Sequence, residues 1–235
     1  MLNNEMLVVD ADSHWSEPPD LFTKLAPPEY RDRVPHVEEI DGAKVWVFDG
    51  HPLSAHSAAG VIARDGHKES SHRALHEWDF EEVHVGAWDP EVRLQVLDES
   101  GIDAQVIFPS TIGLGGQDLG LVEDDALCQL VIELYNDRMA EIQANSNNRL
   151  LPMPLMPAWD IDLCVKEAQR VADLGMRGVN MTSDPHDLGA PDLANRAWDP
   201  FWEVCASLRL PVHFHIGASA TAMSFFGSTR GRPIR

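Results

Sequence analysis

Asp89-Pro90-Glu91-Val92-Arg93-Leu94-Gln95-Val96-Leu97-Asp98-Glu99-Ser100-Gly101-Ile102-Asp103-Ala104-Gln105-Val106-Ile107-Phe108 contains one complete helix-to-strand unit. Asp89 is a natural N-cap, because its carboxylate can accept the unpaired amides of a first turn, and Pro90 fits the first helical position, where no donor is needed. Val92, Val96 and Leu97 fall on one helical face, Gly101 provides the stop, and Ala104 to Phe108 is a short apolar strand.

The same unit recurs toward the C-terminus. A helix is expected from about Glu123 to Asn145, with Leu127, Leu130, Val131, Leu134 and Ile142 at helical spacing. Leu150 to Met156 reads as a strand made irregular by Pro152 and Pro154. Asp160 caps a helix with Ile161, Val165, Ala168 and Ala172 inward and Gly175 as its stop, and Gly178 to Thr182 is the next strand. Asp199-Pro200 opens a last helix, followed by the strand Pro211 to Ile216. Strand and helix alternating through short links are the mark of parallel βαβ units. A doubly wound sheet and a (β/α)8 barrel share that rhythm. Polar, chemistry-bearing residues at the C-terminal ends of the first and last strands favour the barrel, where those ends share one mouth. No Gly-x-Gly-x-x-Gly follows the first strand, which argues against a dinucleotide site. The expected fold is therefore α/β, a single TIM-barrel-like domain over residues 1–235, with about five of the eight strands such a barrel needs.

The first strand, expected at Leu7 to Asp10, leads into Asp10-Ala11-Asp12-Ser13-His14-Trp15-Ser16-Glu17-Pro18. Asp12 and His14 are two apart and point the same way on an extended chain, so one carboxylate and one imidazole can grip a divalent transition metal. A plain polar strand end would look the same. At the other end of the chain His213 and His215 are again two apart, with His215 nearer the strand end and His213 a layer deeper. Glu17 and His213 are further candidates for contact with the metal or the substrate. Residues 18–88 lack the βα rhythm. They hold a hairpin strand at Lys44 to Phe48, then His51, His56, His67, His72, His76 and His84 without regular ligand spacing, and read as a lid-like loop region with solvated histidines.

A net charge of −20 argues against nucleic acid or an anionic membrane as partner, because like charges repel. No apolar run reaches the roughly 18 residues of a membrane span, and Met1 to Val9 lacks the features of a signal peptide. Cys128, Cys164 and Cys205 are widely spaced, each within an expected helix, and read as buried free thiols of a cytoplasmic protein.

The segments from Asp10 to Pro19, Arg93-Leu94 with Leu97 to Asp103, Val106 to Pro109, Tyr135-Asn136-Asp137, Arg149 to Pro152 and Leu210 to His215 resemble the amidohydrolase superfamily. The likeness is to its amidohydrolase-related branch, which includes aminocarboxymuconate-semialdehyde decarboxylase and the resorcylate-type decarboxylases. The resemblance implies a distorted barrel with one divalent metal, zinc or manganese, at its mouth. Asp12, His14 and His215 match the branch's metal-ligand positions, and Glu17 matches a position near the metal. Members with two metals bridge them with a lysine on the fourth barrel strand, and Gly178 to Thr182 has none, so a single ion is expected. The implied activity is hydrolysis or nonoxidative decarboxylation of a small carboxylate or cyclic substrate. The branch also carries a histidine after its sixth strand and an aspartate at its eighth, with no counterpart here, so no proton-transferring residue is assigned. The alternative is a truncated, catalytically incomplete chain, a metal-binding module that associates through open barrel edges with a second copy or a partner.

Overall fold

Each strand of the main sheet after the first is delivered by a helix, in the computed structural model, which describes residues 6–56, 60, 62–69 and 78–218. Strand β1 (Val9–His14) is followed by α1 (Leu21–Leu25), then by an antiparallel sheet of β2 (His36–Ile40), β3 (Ala43–Phe48) and β4 (His51–His56). After it come α2 (Pro90–Ser100), β5 (Ala104–Phe108), α3 (Asp125–Asn145), β6 (Leu150–Pro152), α4 (Ile161–Asp173), β7 (Val179–Asn180), α5 (Asp199–Leu208) and β8 (Val212–His213). β1, β5 and β6 pair in parallel, β7 and β8 pair in parallel, and a parallel bridge between Leu155 and Asn180 joins the two groups. The result is an α/β, TIM-barrel-like run of parallel strands in chain order.

The helix signals act as their chemistry requires. The Asp89 carboxylate accepts from the Glu91 and Val92 amides at 2.9 Å each, and Gly101 closes α2 at φ 67°. Asp124 and Asp160 cap α3 and α4 by accepting from Leu127 and Leu163. α5 opens at Asp199-Pro200 as expected, and Trp198 holds the cap position without a side-chain bond.

Several boundaries also move. β1 begins later than expected and runs through the Asp12–His14 cluster, because pairing with β5 continues as far as the Trp15 amide, which donates to the Phe108 carbonyl at 3.2 Å. β6 stops at Pro152, β7 is confined to Val179–Asn180 and β8 to Val212–His213, each shorter than expected. His215 lies past the end of β8, where the Ala218 amide turns back to its carbonyl. On α2 the buried residues are Arg93 and Leu97, and Val96 is exposed, so the helix is rotated from the face its valines suggested.

Residues 18–88, read as a loop region, contain the antiparallel sheet. Phe22, Trp46, Phe48 and Leu53 join the same apolar core as Tyr135 of α3 and Trp198. Arg33 ties the sheet to α3 by binding both Asp49 and Asp124. Of the histidines here, His67 is solvated beside Asp65, and His84 accepts the Gly86 amide at the start of a short 3-10 turn. His72 and His76 fall outside the described residues. All three cysteines are buried and free.

Asn136 compensates for prolines that cannot donate to a ladder. Its amide donates to the Leu155 carbonyl at 2.9 Å and accepts the Leu155 amide at 2.8 Å, while also donating to Glu167 at 2.6 Å. We expect Asn136→Ala, which orphans buried backbone groups, to cost about 3 kcal/mol of stability. Urea unfolding followed by circular dichroism measures it, and a loss under about 1 kcal/mol contradicts this role.

Candidate metal centre

The pairing of β1 with β5 is in register at Val9 with Ala104 and Asp10 with Gln105, then again at Ser13 with Ile107 and His14 with Phe108. β1 therefore spends one more residue than β5 between Asp10 and Ser13, a β-bulge. Strict alternation would put Asp10, Asp12 and His14 on one face. The bulge separates them. Asp10 binds Gln105, and Ser13 binds Arg93 of α2, so both face the helix layer. Asp12 and His14 turn the other way, to His215.

Asp12 Oδ1 lies 2.9 Å from His215 Nε2 and 3.7 Å from His14 Nε2. The two imidazole rings stand 4.8 Å apart, edge to face. One ligand-competent atom from each residue falls within 4.8 Å of the others, the geometry of a group that could hold a metal ion. Phe108 packs beneath, 4.7 Å from the His215 ring and 6.3 Å from that of His14. His215 Nδ1 is 2.6 Å from the Ile216 carbonyl. A carbonyl only accepts, so Nδ1 carries the proton, and the Nε2 lone pair of a neutral ring faces the Asp12 carboxylate. A cation held between those lone pairs would resolve the conflict. Burial pushes the His14 pKa down, His215 and Arg93 add to the effect, and Asp12 and Asp10 oppose it.

Glu17 and His213 lie outside this group. Glu17 is fully buried and its two oxygens accept from the Ser110 amide (3.0 Å), the Thr111 amide (3.1 Å) and the Thr111 hydroxyl (2.8 Å). It ties the exit of β1 to the exit of β5. Burial raises its pKa, against the bonds from Ser110 and Thr111. His213 sits behind the site with its ring 5.9 Å from Phe108, and burial lowers its pKa.

The turn that carries His215 is held by residues to which the sequence drew no attention. Gln117 donates to the Gly217 carbonyl at 3.2 Å, and the Thr182 hydroxyl donates to the Ala218 carbonyl at 2.6 Å. Gly115 allows the loop after β5 to close on that turn, because a Cβ there would stand 2.7 Å from the Ala218 Cβ. Arg93 carried part of the family resemblance without an assigned role. Its sequence signal is position, since it lies one turn before Leu97 on the face that α2 buries.

The amidohydrolase family model matches residues 9–232. The chain belongs to the amidohydrolase family. Among curated relatives of this amidohydrolase, the 2-amino-3-carboxymuconate-6-semialdehyde decarboxylase of Dictyostelium discoideum is 24% identical over 197 residues, covering 83% of this chain and 48% of that protein. The gamma-resorcylate decarboxylase of Rhizobium radiobacter is 28% identical over 170 residues, covering 70% and 46%. The chain thus spans about half the length of the curated relatives it matches. Solved structures share the fold. An amidohydrolase from Mycobacterium avium subsp. paratuberculosis superposes with a TM-score of 0.70 at 19% identity, covering 95% of this chain and 63% of that one. The 5-carboxyvanillate decarboxylase of Novosphingobium aromaticivorans, solved with bound manganese, gives 0.56 at 16% identity, covering 94% and 54%.

Glu17→Ala would leave the Ser110 and Thr111 amides buried without their acceptor. We expect a loss of about 3 kcal/mol or more in urea unfolding. A variant as stable as the parent would show that Glu17 does not hold the two strand exits together.

Proposed function

We propose that Asp12, His14 and His215 hold one divalent metal ion, and that this amidohydrolase is a metal-dependent carboxy-lyase for a small carboxylate substrate. Metal-dependent hydrolysis is the alternative chemistry of the same site. The observation that carries the reading is the convergence of one carboxylate and two imidazoles from the two ends of the chain, within 4.8 Å. The donor set fits. Ligands at ~2.1 Å from one ion stand roughly 3 to 3.5 Å apart, near the separations from Asp12 to His215 and to His14. Mixed oxygen and nitrogen donors suit zinc or manganese. When bound, such an ion supplies Lewis acidity and positive charge for an anionic substrate group.

The chain's own residues do the rest. Depression of the His14 pKa favours the neutral ring that a ligand must be. The bond from His215 Nδ1 to the Ile216 carbonyl aims Nε2 at the site. Phe108, packed against the His215 ring, forms an apolar floor under the site. Decarboxylation is preferred over hydrolysis because the curated relatives named above are decarboxylases of small unsaturated or aromatic acids. No helix among the described residues is long and apolar enough to cross a membrane.

The outer edges of the strand run support a second reading, on assembly. Among the described residues β1 pairs only with β5, and β8 only with β7. Val9 of β1 is 45% exposed, and Phe214 and Ile216, just past the end of β8, are 44% and 76% exposed. Unpaired strand edges with exposed apolar side chains are templates for further strands, so we propose association through them with a second copy or a partner chain.

Metal analysis of the purified chain should find about one equivalent of zinc or manganese, lost in His14→Ala. Absence of bound metal, or an unchanged content in His14→Ala, would refute the ligand set. A panel of small aromatic and unsaturated carboxylates should release CO₂ with the metal-loaded protein, alone or in its assembled form. Hydrolysis of a cyclic ester or amide without CO₂ release would favour the alternative. Light scattering should show an assembly larger than one chain, and a strict monomer would defeat association through the edges.

A further inference from the structure

Behind the bulge in β1 lies a closed ring of hydrogen bonds that the metal reading does not use. Asp10 Oδ1 accepts the amide of Asp12 at 3.2 Å, inside the bulge. Asp10 Oδ2 accepts from Gln105 Nε2 at 2.8 Å. Gln105 Oε1 accepts from Arg93 Nη1 at 2.9 Å. The same Nη1 donates to the Ser13 hydroxyl at 3.0 Å, and Nη2 donates to the His14 carbonyl at 3.0 Å. The ring leaves β1 before the extra residue, crosses β5 and α2, and returns to β1 after it. Arg93 has no spare donor. Nη2 also binds the Ala87 carbonyl at 3.1 Å, Nε binds the Gly86 carbonyl, and the guanidinium stacks over Trp15. Gln105 and Arg93 are 6% and 8% exposed, so water does not replace these partners.

We propose that Asp10, Gln105 and Arg93 are positioning residues, a register staple that fixes the bulge and thereby aims Asp12 and His14 at His215. This rests on the metal site proposed above. A slip of one residue past Asp10 would erase the bulge, place Ser13 opposite Phe108, and send Asp12 and His14 to the helix layer. In that register the guanidinium loses the Ser13 hydroxyl and the His14 carbonyl while buried, which is costly. The staple therefore makes the bulged register the one in which these polar groups are satisfied. An alternative is that Arg93 only packs α2 on the sheet. In that case its network would affect stability without affecting the geometry at Asp12 and His14.

The order of donors and acceptors separates the two. Asp10→Asn sets a new amide against Gln105 Nε2, and if Gln105 flips, the conflict moves to Arg93. Gln105→Glu sets two carboxylates against each other. In the double variant Asp10→Asn/Gln105→Glu the introduced amide donates to the introduced carboxylate, which accepts from Arg93, and the net charge equals that of the parent. With Co²⁺ as the probe, each single variant should bind about 10 to 100 times more weakly. Each should show an altered visible spectrum, and the double variant should recover most of the affinity and the parent spectrum. Val171→Ala, a core change in α4, supplies the comparison, with lowered stability and parental cobalt binding.

In the metal-free proteins, amide exchange at Asp12, Ser13 and His14 should quicken in the single variants and slow again in the double. Ser13→Ala removes one contact of the ring without burying a charge, and should weaken cobalt binding less than the single variants; it serves if those fail to fold. Parental cobalt affinity and spectrum in the variants, with parental exchange, would overturn the staple. So would a double variant as stable as the parent that does not recover. If the parent itself binds no cobalt, the metal reading fails, and the exchange measurements still decide whether the ring holds the register.

Discussion

The pairing of β1 with β5 carries one extra residue on the β1 side, between Asp10 and Ser13, and the aim of Asp12 and His14 follows from it. A strand alternates its side chains strictly, so inserting a residue reverses the faces of everything after it. Asp10 keeps the outward face and becomes part of a buried polar network, while His14, also an even step away, faces inward. Parallel pairing beyond the bulge then brings His14 level with Phe108, the side chain on which both imidazoles rest.

The opposite side of the site is held by different means. β8 is short, and His215 lies in the turn after it, where a ladder no longer fixes the backbone. The loop after β5 does that work. Glu17 anchors its start through Ser110 and Thr111, and Gln117 and Thr182 hold the carbonyls of Gly217 and Ala218. The approach of this loop to the turn depends on the missing side chain at Gly115. Side chains at the exits of β1, β5 and β7 and the backbone after β8 thus brace one another, as expected where parallel strands end around a shared mouth.

Charge sets the chemistry such a mouth can perform. The chain carries −20, so its overall field repels an anionic substrate and attracts cations. The Arg93 cation lies close to His14, but its donors are all turned to protein groups. A divalent ion on Asp12, His14 and His215 would bring to the mouth the positive charge that the proposed carboxylate substrate requires.

The α/β rhythm was legible because its signals are local. The Asp89 carboxylate meets amides two and three residues away, and Gly101 takes up a positive φ at the end of the same helix. The pairs Asp12–His14 and His213–His215 were legible as residue types at strand ends, and the structure brings three of the four together. The position of Glu17 was not legible, because a carboxylate near a metal motif looks the same whether it faces an ion or the Ser110 and Thr111 amides. The sequence by itself determined the order of helices and strands from Asp89 onward, and that chemistry-bearing side chains stand at the ends of the first and last strands. Only the tertiary structure decided which way those side chains point. Caps and stops depend on neighbours within a few residues, whereas the face that a strand residue takes depends on register with a partner, here set through Gln105, 95 residues from Asp10.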